Sequence, residues 1–104
     1  MAWKVEILNA VVADEIEALP EDIQAAFLRL SERIEAVGLE RIREPHAKHL
    51  RGKLWEMRLS GRDGIGRAIY VTAAGRRVVV VHAFVKKTPK GALELAERRA
   101  RDVQ

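Results

Sequence analysis

LRGKLWEMRLSGRDGIGRAIYVTAAGRRVVVVHAFVKKTPK, residues 50–90, is the stretch on which the fold turns. Lys53 to Ser60 alternates Trp55, Met57 and Leu59 against Glu56, Arg58 and Ser60. That period of two puts one strand face on a core and leaves the other to charged groups. Gly61, Arg62, Asp63 and Gly64 make a turn, Arg67 to Thr72 a second strand, Ala74 and Gly75 another turn, and Arg77 to Val85 a third strand. The expected unit is a three-stranded meander. Val78, Val79, Val80 and Val81 are apolar on both faces, so the last strand should lie inside the sheet and be covered on both sides.

Working outward, Trp3 to Leu8 alternates like a first strand. From Val11 the period changes: Val11, Val12, Ile16 and Leu19 share one side of a short helix, and Pro20 either ends it or marks the first turn of the next. Ile23, Ala26, Phe27, Leu30, Ile34 and Val37 step by three and four through a second helix, closed by Gly38. Leu39 to His49 has no sustained period and reads as a surface connection. After the meander, Thr88 and Pro89 are suited to be the N-cap and first residue of a last helix reaching about Ala100, with Leu93, Ala96 and Ala100 on its packing face. The order β-α-α-β-β-β-α is an α+β class, in one domain over residues 1–104.

Charge is divided unevenly. Residues 1–52 hold seven Lys and Arg against ten acids, net −3, while residues 53–104 hold twelve against five, net +7; together they make the +4 of the whole chain. Between His46 and Lys90 stand eleven Lys and Arg and two acids, Glu56 and Asp63. Such a surface expects a polyanion: RNA, DNA or an acidic protein segment. With no cysteine, neither a disulfide nor a thiolate metal site is available, and His46, His49 and His82 lack a ligand spacing, so no metal or cofactor is expected. The MAWKVEIL start is too short and too charged for a signal peptide, and no apolar run approaches the roughly 20 residues that cross a bilayer. A soluble, cytoplasmic chain without membrane partners is the expectation.

Leu50-Arg51-Gly52-Lys53-Leu54-Trp55-Glu56-Met57-Arg58, then Gly66-Arg67-Ala68-Ile69-Tyr70, then Val81 through Pro89, and finally Ala96-Glu97-Arg98-Arg99 resemble, in that order, the RelE/ParE superfamily. More narrowly they resemble its phage-derived HigB-type branch, toxins of type II toxin–antitoxin modules. The resemblance implies a small, mostly antiparallel sheet with helices on one side and a concave basic face on the other. It also implies metal-independent endoribonuclease activity on messenger RNA, mostly at the ribosome, so that translation stops; ParE-like members instead act on DNA gyrase. A cognate antitoxin, usually carrying a DNA-binding domain, would be the protein partner. By the same resemblance, Arg58 falls where RelE-like toxins hold a basic strand residue near the scissile phosphate, Arg67 matches the Arg before the strand aromatic, and Lys87 matches a basic residue after the last strand. Glu56 stands in place of a RelE lysine, and Leu93 about where RelE has a tyrosine; the Trp-Glu-x-Arg pattern is that of the HigB-type branch.

Cutting RNA with its own 2'-hydroxyl needs a base, cations over the pentacovalent phosphorane and an acid for the leaving oxygen. Arg58 and Arg67 can grip the phosphate with bidentate forks. Glu56, two residues from Arg58 and on its strand face, is either the base or the anchor of Arg58; paired surface carboxylates more often orient than catalyse. Lys86 and Lys87 disfavour each other's protonated form, which suits one of them to be the acid. Lys48, Arg51, Lys53, Tyr70 and Lys90 are the candidates to hold RNA around that centre, with Tyr70 reaching the concave face. His82 lies on an apolar face and reads as a satisfied core group, and core packing is the expectation for Trp55.

Overall fold

The meander pairs as the alternation requires. In the computed structural model, which describes residues 2–62, 64–85 and 89–104, β3 (Leu54–Gly61), β4 (Gly64–Ala73) and β5 (Arg77–Val85) run antiparallel, with Met57 opposite Ala68 and Ala68 opposite Ala83. β1 (Lys4–Ile7) lies parallel to the outer side of β5, Val5 beside Val78. The sheet has five strands in the order β1-β5-β4-β3-β2. α1 (Ala10–Glu17) and α2 (Glu21–Val37) follow β1, and α3 (Ala92–Ala100) ends the chain.

The fifth strand is a correction. Residues 39–49, read as a surface connection, contain a 3₁₀ turn at Leu39–Arg41 and then β2 (Ala47–Arg51), antiparallel to β3 with Lys48 opposite Glu56. Of β2 only Ala47 is buried, so no apolar alternation marks the strand. Charged edge strands are ordinary because one rim meets water and charge discourages further pairing.

Period two along β5 sends Val78 and Val80 to one face and Val79 and Val81 to the other, and each face has its own core. Val12 and Ile16 of α1 and Ile23, Phe27, Leu30 and Ile34 of α2 pack with Met57, Leu59, Ala68, Tyr70, Val78 and Val80. Ala96 of α3 packs on the opposite side with Leu54, Ile69, Val71, Val79 and Val81. Helices therefore cover both faces and not one. The physical reason is that fourfold valine run: a strand apolar on both sides leaves about 1.5–3 kcal/mol per side chain unrealised wherever a face stays wet. Val11, placed on the packing side of α1 by its spacing, is exposed. The α1 start is instead set by Asn9, whose side-chain oxygen accepts from the Val12 amide at 3.0 Å.

α3 begins at Ala92, later than Pro89, with Gly91 before it at φ 84°. That left-handed backbone comes at little cost only to glycine. Thr88, expected as the cap, lies outside the described residues. α3 is short, so it covers the Leu54, Val71 and Val79 end of its face, and among the described residues no helix covers the Arg58, Arg67 and Phe84 end.

Candidate active site

The uncovered half of the α3 face takes its chemistry from three neighbouring strands in register. Arg58 on β3 stands opposite Arg67 on β4, which stands opposite Phe84 on β5; two pairs further along, Glu56 faces Ile69, and Lys48 of β2 faces Glu56. Like charges directly opposite repel. Glu56 relieves that repulsion: one carboxylate oxygen takes the Arg58 Nε at 3.2 Å and the other lies 3.6 Å from the Arg67 Nε. Glu56 is 3% exposed, Arg58 34% and Arg67 16%, so a buried anion sits beneath two cations that reach the surface. Burying a carboxylate costs several kcal/mol unless it is paired, and two guanidiniums are what make this position tolerable.

Arg58 also stands where two depressions meet. One, of about 110 Å³, is lined by Glu44, Pro45, Lys48 and Arg58. The other, of about 230 Å³, runs over the β3 rim to Ala26, Arg29, Leu30 and Arg33 of α2, with His46 and Ser60. The sequence reading did not single out Arg29 or Arg33, because nothing local relates α2 to the edge of β3.

The remaining candidates scatter. Lys86 and Lys87 lie outside the described residues. Lys90 is exposed in the turn before α3. Arg51 is turned to α3, with its Nη2 2.7 Å from Glu97 and 3.4 Å from Glu94. These exposed ion pairs brace β2 against α3. Lys53 borders a depression lined by Leu54, Glu97, Ala100 and Arg101. Five strand positions separate it from Arg58, roughly 17 Å at ~3.4 Å per residue.

Tyr70 does not reach the Arg58 face. It is 1% exposed in the α2 core, and burial pushes its phenol up to about 12. Parity explains the correction, since Tyr70 is three positions from Arg67 and three steps along a strand end on the opposite face. Trp55, expected in the core, is 40% exposed; its ring lies 5.0 Å from that of His49 and borders an apolar cavity of about 370 Å³ with Trp3, Ile42 and Tyr70.

His82 is a satisfied, nearly buried group. Its Nδ1 is 2.8 Å from Glu15 Oε1, which also accepts from the Ala83 amide at 3.1 Å and from Arg99 Nη1 at 3.0 Å. Arg99 also donates to the Val81 carbonyl at 2.9 Å. Burial pushes the Glu15 carboxyl up, but the bonds from Arg99, His82 and Ala83 outweigh it and hold it below the usual value. Among the described residues no three His, Asp or Glu side chains gather as a metal would need, and no helix is long and apolar enough to cross a membrane. Chemically, the Arg58–Glu56–Arg67 group can bind and neutralise an oxyanion at the surface.

Comparison with known proteins agrees with the fold. The model for the family described as Phage derived protein Gp49-like (DUF891) matches residues 14–101. No curated protein matches the chain. Among solved structures, a chain of the archaeal RelE-RelB complex from Pyrococcus horikoshii OT3 superposes with a TM-score of 0.64 at 20% identity, over 86% of this chain and all of that one. The E. coli toxin RelE, with two arginines changed to alanine and in the free state, superposes with a TM-score of 0.66 at 18% identity over the full length of both. At those identities the likeness is one of fold, a three-helix, five-strand mixed sheet. The chain therefore belongs to the phage derived protein Gp49-like (DUF891) family and has the RelE-superfamily fold.

Proposed function

We propose that this chain is the toxin of a type II toxin–antitoxin module, of the HigB type, and that it cuts ribosome-bound messenger RNA as an endoribonuclease. The observation behind this reading is the pair of guanidiniums, Arg58 and Arg67, opposed on adjacent strands and anchored by one buried carboxylate on a face that α3 leaves open. In the reaction the 2'-oxygen attacks the adjacent phosphorus, its proton passes to a base, and the 5'-oxygen leaves with a proton from an acid. The products are a 2',3'-cyclic phosphate and a free 5'-hydroxyl. Arg58 and Arg67 grip the non-bridging oxygens, whose charge grows in the phosphorane, and this preorganised positive charge lowers the barrier without a metal. Glu56 acts as a positioning residue: buried and held between two arginines, it aims them and is screened from the 2'-hydroxyl. Lys86 and Lys87, following the strand that pairs with β4, are the candidates for the acid.

The partner in this reading is a cognate antitoxin with a DNA-binding domain, whose acidic or apolar segment covers the basic face; the archaeal relative was solved as a complex with RelB. The deciding experiment is expression of the chain in growing cells, with messenger RNA 5'-ends mapped and plasmid supercoiling assayed in the same cultures. Translated transcripts cut within coding regions, normal supercoiling and no cutting by Arg58→Ala are expected. Intact transcripts with altered supercoiling would replace the nuclease with a gyrase-directed toxin.

A further inference from the structure

The 230 Å³ depression that runs from Arg58 over the β3 rim is lined by three arginines and a histidine from three separate parts of the chain: Arg29 and Arg33 on α2, His46 before β2, and Arg58 on β3. Among the described residues no acid lines it, and Ala26, Leu30 and Ser60 complete the lining. Among the described residues neither Arg29 nor Arg33 has a carboxylate within ion-pair distance, whereas Arg51, Arg77 and Arg99 each do. Arg29 and Arg33 are one helical step of four apart, so their side chains share a face about 6 Å apart along the axis. Like charges at that spacing destabilise a helix slightly, a cost that an anion lying across them removes.

We infer that this groove is a track for the RNA strand: it holds backbone phosphates flanking the one at Arg58 and Arg67, with Arg29 and Arg33 each taking a phosphate. This rests on the nuclease reading for the phosphate at Arg58, which is common to both the groove and the anchored pair. A nucleic-acid strand suits the groove better than an acidic protein segment, since the groove shares Arg58 with the phosphate grip and Arg29 and Arg33, about 6 Å apart along the helix axis, are spaced like neighbouring phosphates of an extended strand.

The test uses the whole chain and a fluorescent single-stranded RNA of about 12 nucleotides, within the ~4–16 that single-strand grooves occupy, made uncleavable by 2'-O-methylation. R29E/R33E should weaken binding at least tenfold at low salt and flatten the salt dependence by about 1.4, near 0.7 for each lost phosphate contact. Equal charge reversal at exposed Lys4 and Arg101 should leave the slope unchanged. R29Q/R33Q, a milder change at exposed positions, serves if the reversal disturbs folding, and thermal melts check both. Unchanged affinity and slope in R29E/R33E overturn the track. So does a poly-glutamate peptide that depends on Arg29 and Arg33 while the RNA does not, which would give the groove to an acidic protein segment. A wild-type chain that binds this RNA through Arg29 and Arg33 yet cuts no transcript in cells keeps the track and ends the nuclease reading.

Discussion

Two carboxylates in this molecule are each held by an arginine and set against β3–β5, and they are held differently. Glu15 lies where β5 runs past the end of β1; it accepts from Ala83, His82 and Arg99, and Arg99 is tied in turn to Val81. That group joins α1, β5 and α3, and its donors are spent on protein acceptors. Glu56 is the more buried carboxylate; both its arginines meet it through Nε, and of the two it is Arg58 that extends to the surface. The first arrangement closes a seam between elements. The second presents charge. Burial of an ion pair therefore does not by itself mark a site; what sets this one apart is Arg58, whose side chain is 34% exposed where Arg67 and Arg99 are 16% and 17% exposed.

If the contrast holds, substitutions on its two sides should separate activity from stability. The largest effect is expected from Arg58→Ala and Arg67→Ala, each lowering RNA cleavage about 10²–10³-fold, the usual loss for one preorganised donor to a transition-state oxyanion. Both variants should stay folded, because Glu56 keeps one guanidinium; cleavage kinetics beside a urea titration read the two quantities separately. Glu15→Ala should do the reverse. It strands Arg99 and the Ala83 amide and is expected to cost about 3 kcal/mol in urea unfolding, with cleavage per folded molecule unchanged. Equal activity losses in both clusters would dissolve the distinction.

A smaller effect follows from acid. The folded-state pKa of Glu15 lies below its ordinary 4.5, so its stabilising contribution is complete above that value and is lost as pH falls through the lower one. Glu15→Gln should accordingly flatten the acid limb of the stability curve relative to wild type. The smallest signal comes from Tyr70, the one tyrosine of the chain. Its pKa is raised from 10.0 to about 12, so its contribution is full below pH 10.0 and is lost as pH rises through about 12. Absorbance at the tyrosinate band should stay flat through pH 10; titration near 10 would put the phenol in water and reverse the assignment of β4 faces.

What the sequence determined by itself was whatever depends on neighbours a few residues apart. Period two made β3 a strand with Glu56 and Arg58 on one face, the valine run demanded cover on both sides of β5, and steps of three and four made α2, because backbone geometry repeats within a few residues. The tertiary structure alone decided what depends on register and packing across long separations. Nothing near Ala47 announces β2, whose pairing is with β3. His82 shows an apolar setting in sequence, but its partner Glu15 is 67 residues away. Arg58 and Arg67 oppose each other only because the Gly61–Gly64 end of the hairpin sets their register, and Arg29 and Arg33 share a depression with Arg58 only because α2 closes against the rim of β3. Gly66 and Gly61 permit that approach, since a Cβ on either would come within 2.5 Å of Ile23. Local patterns choose elements; the contacts that bring charges together close long loops, and their geometry is settled by packing over the whole sheet.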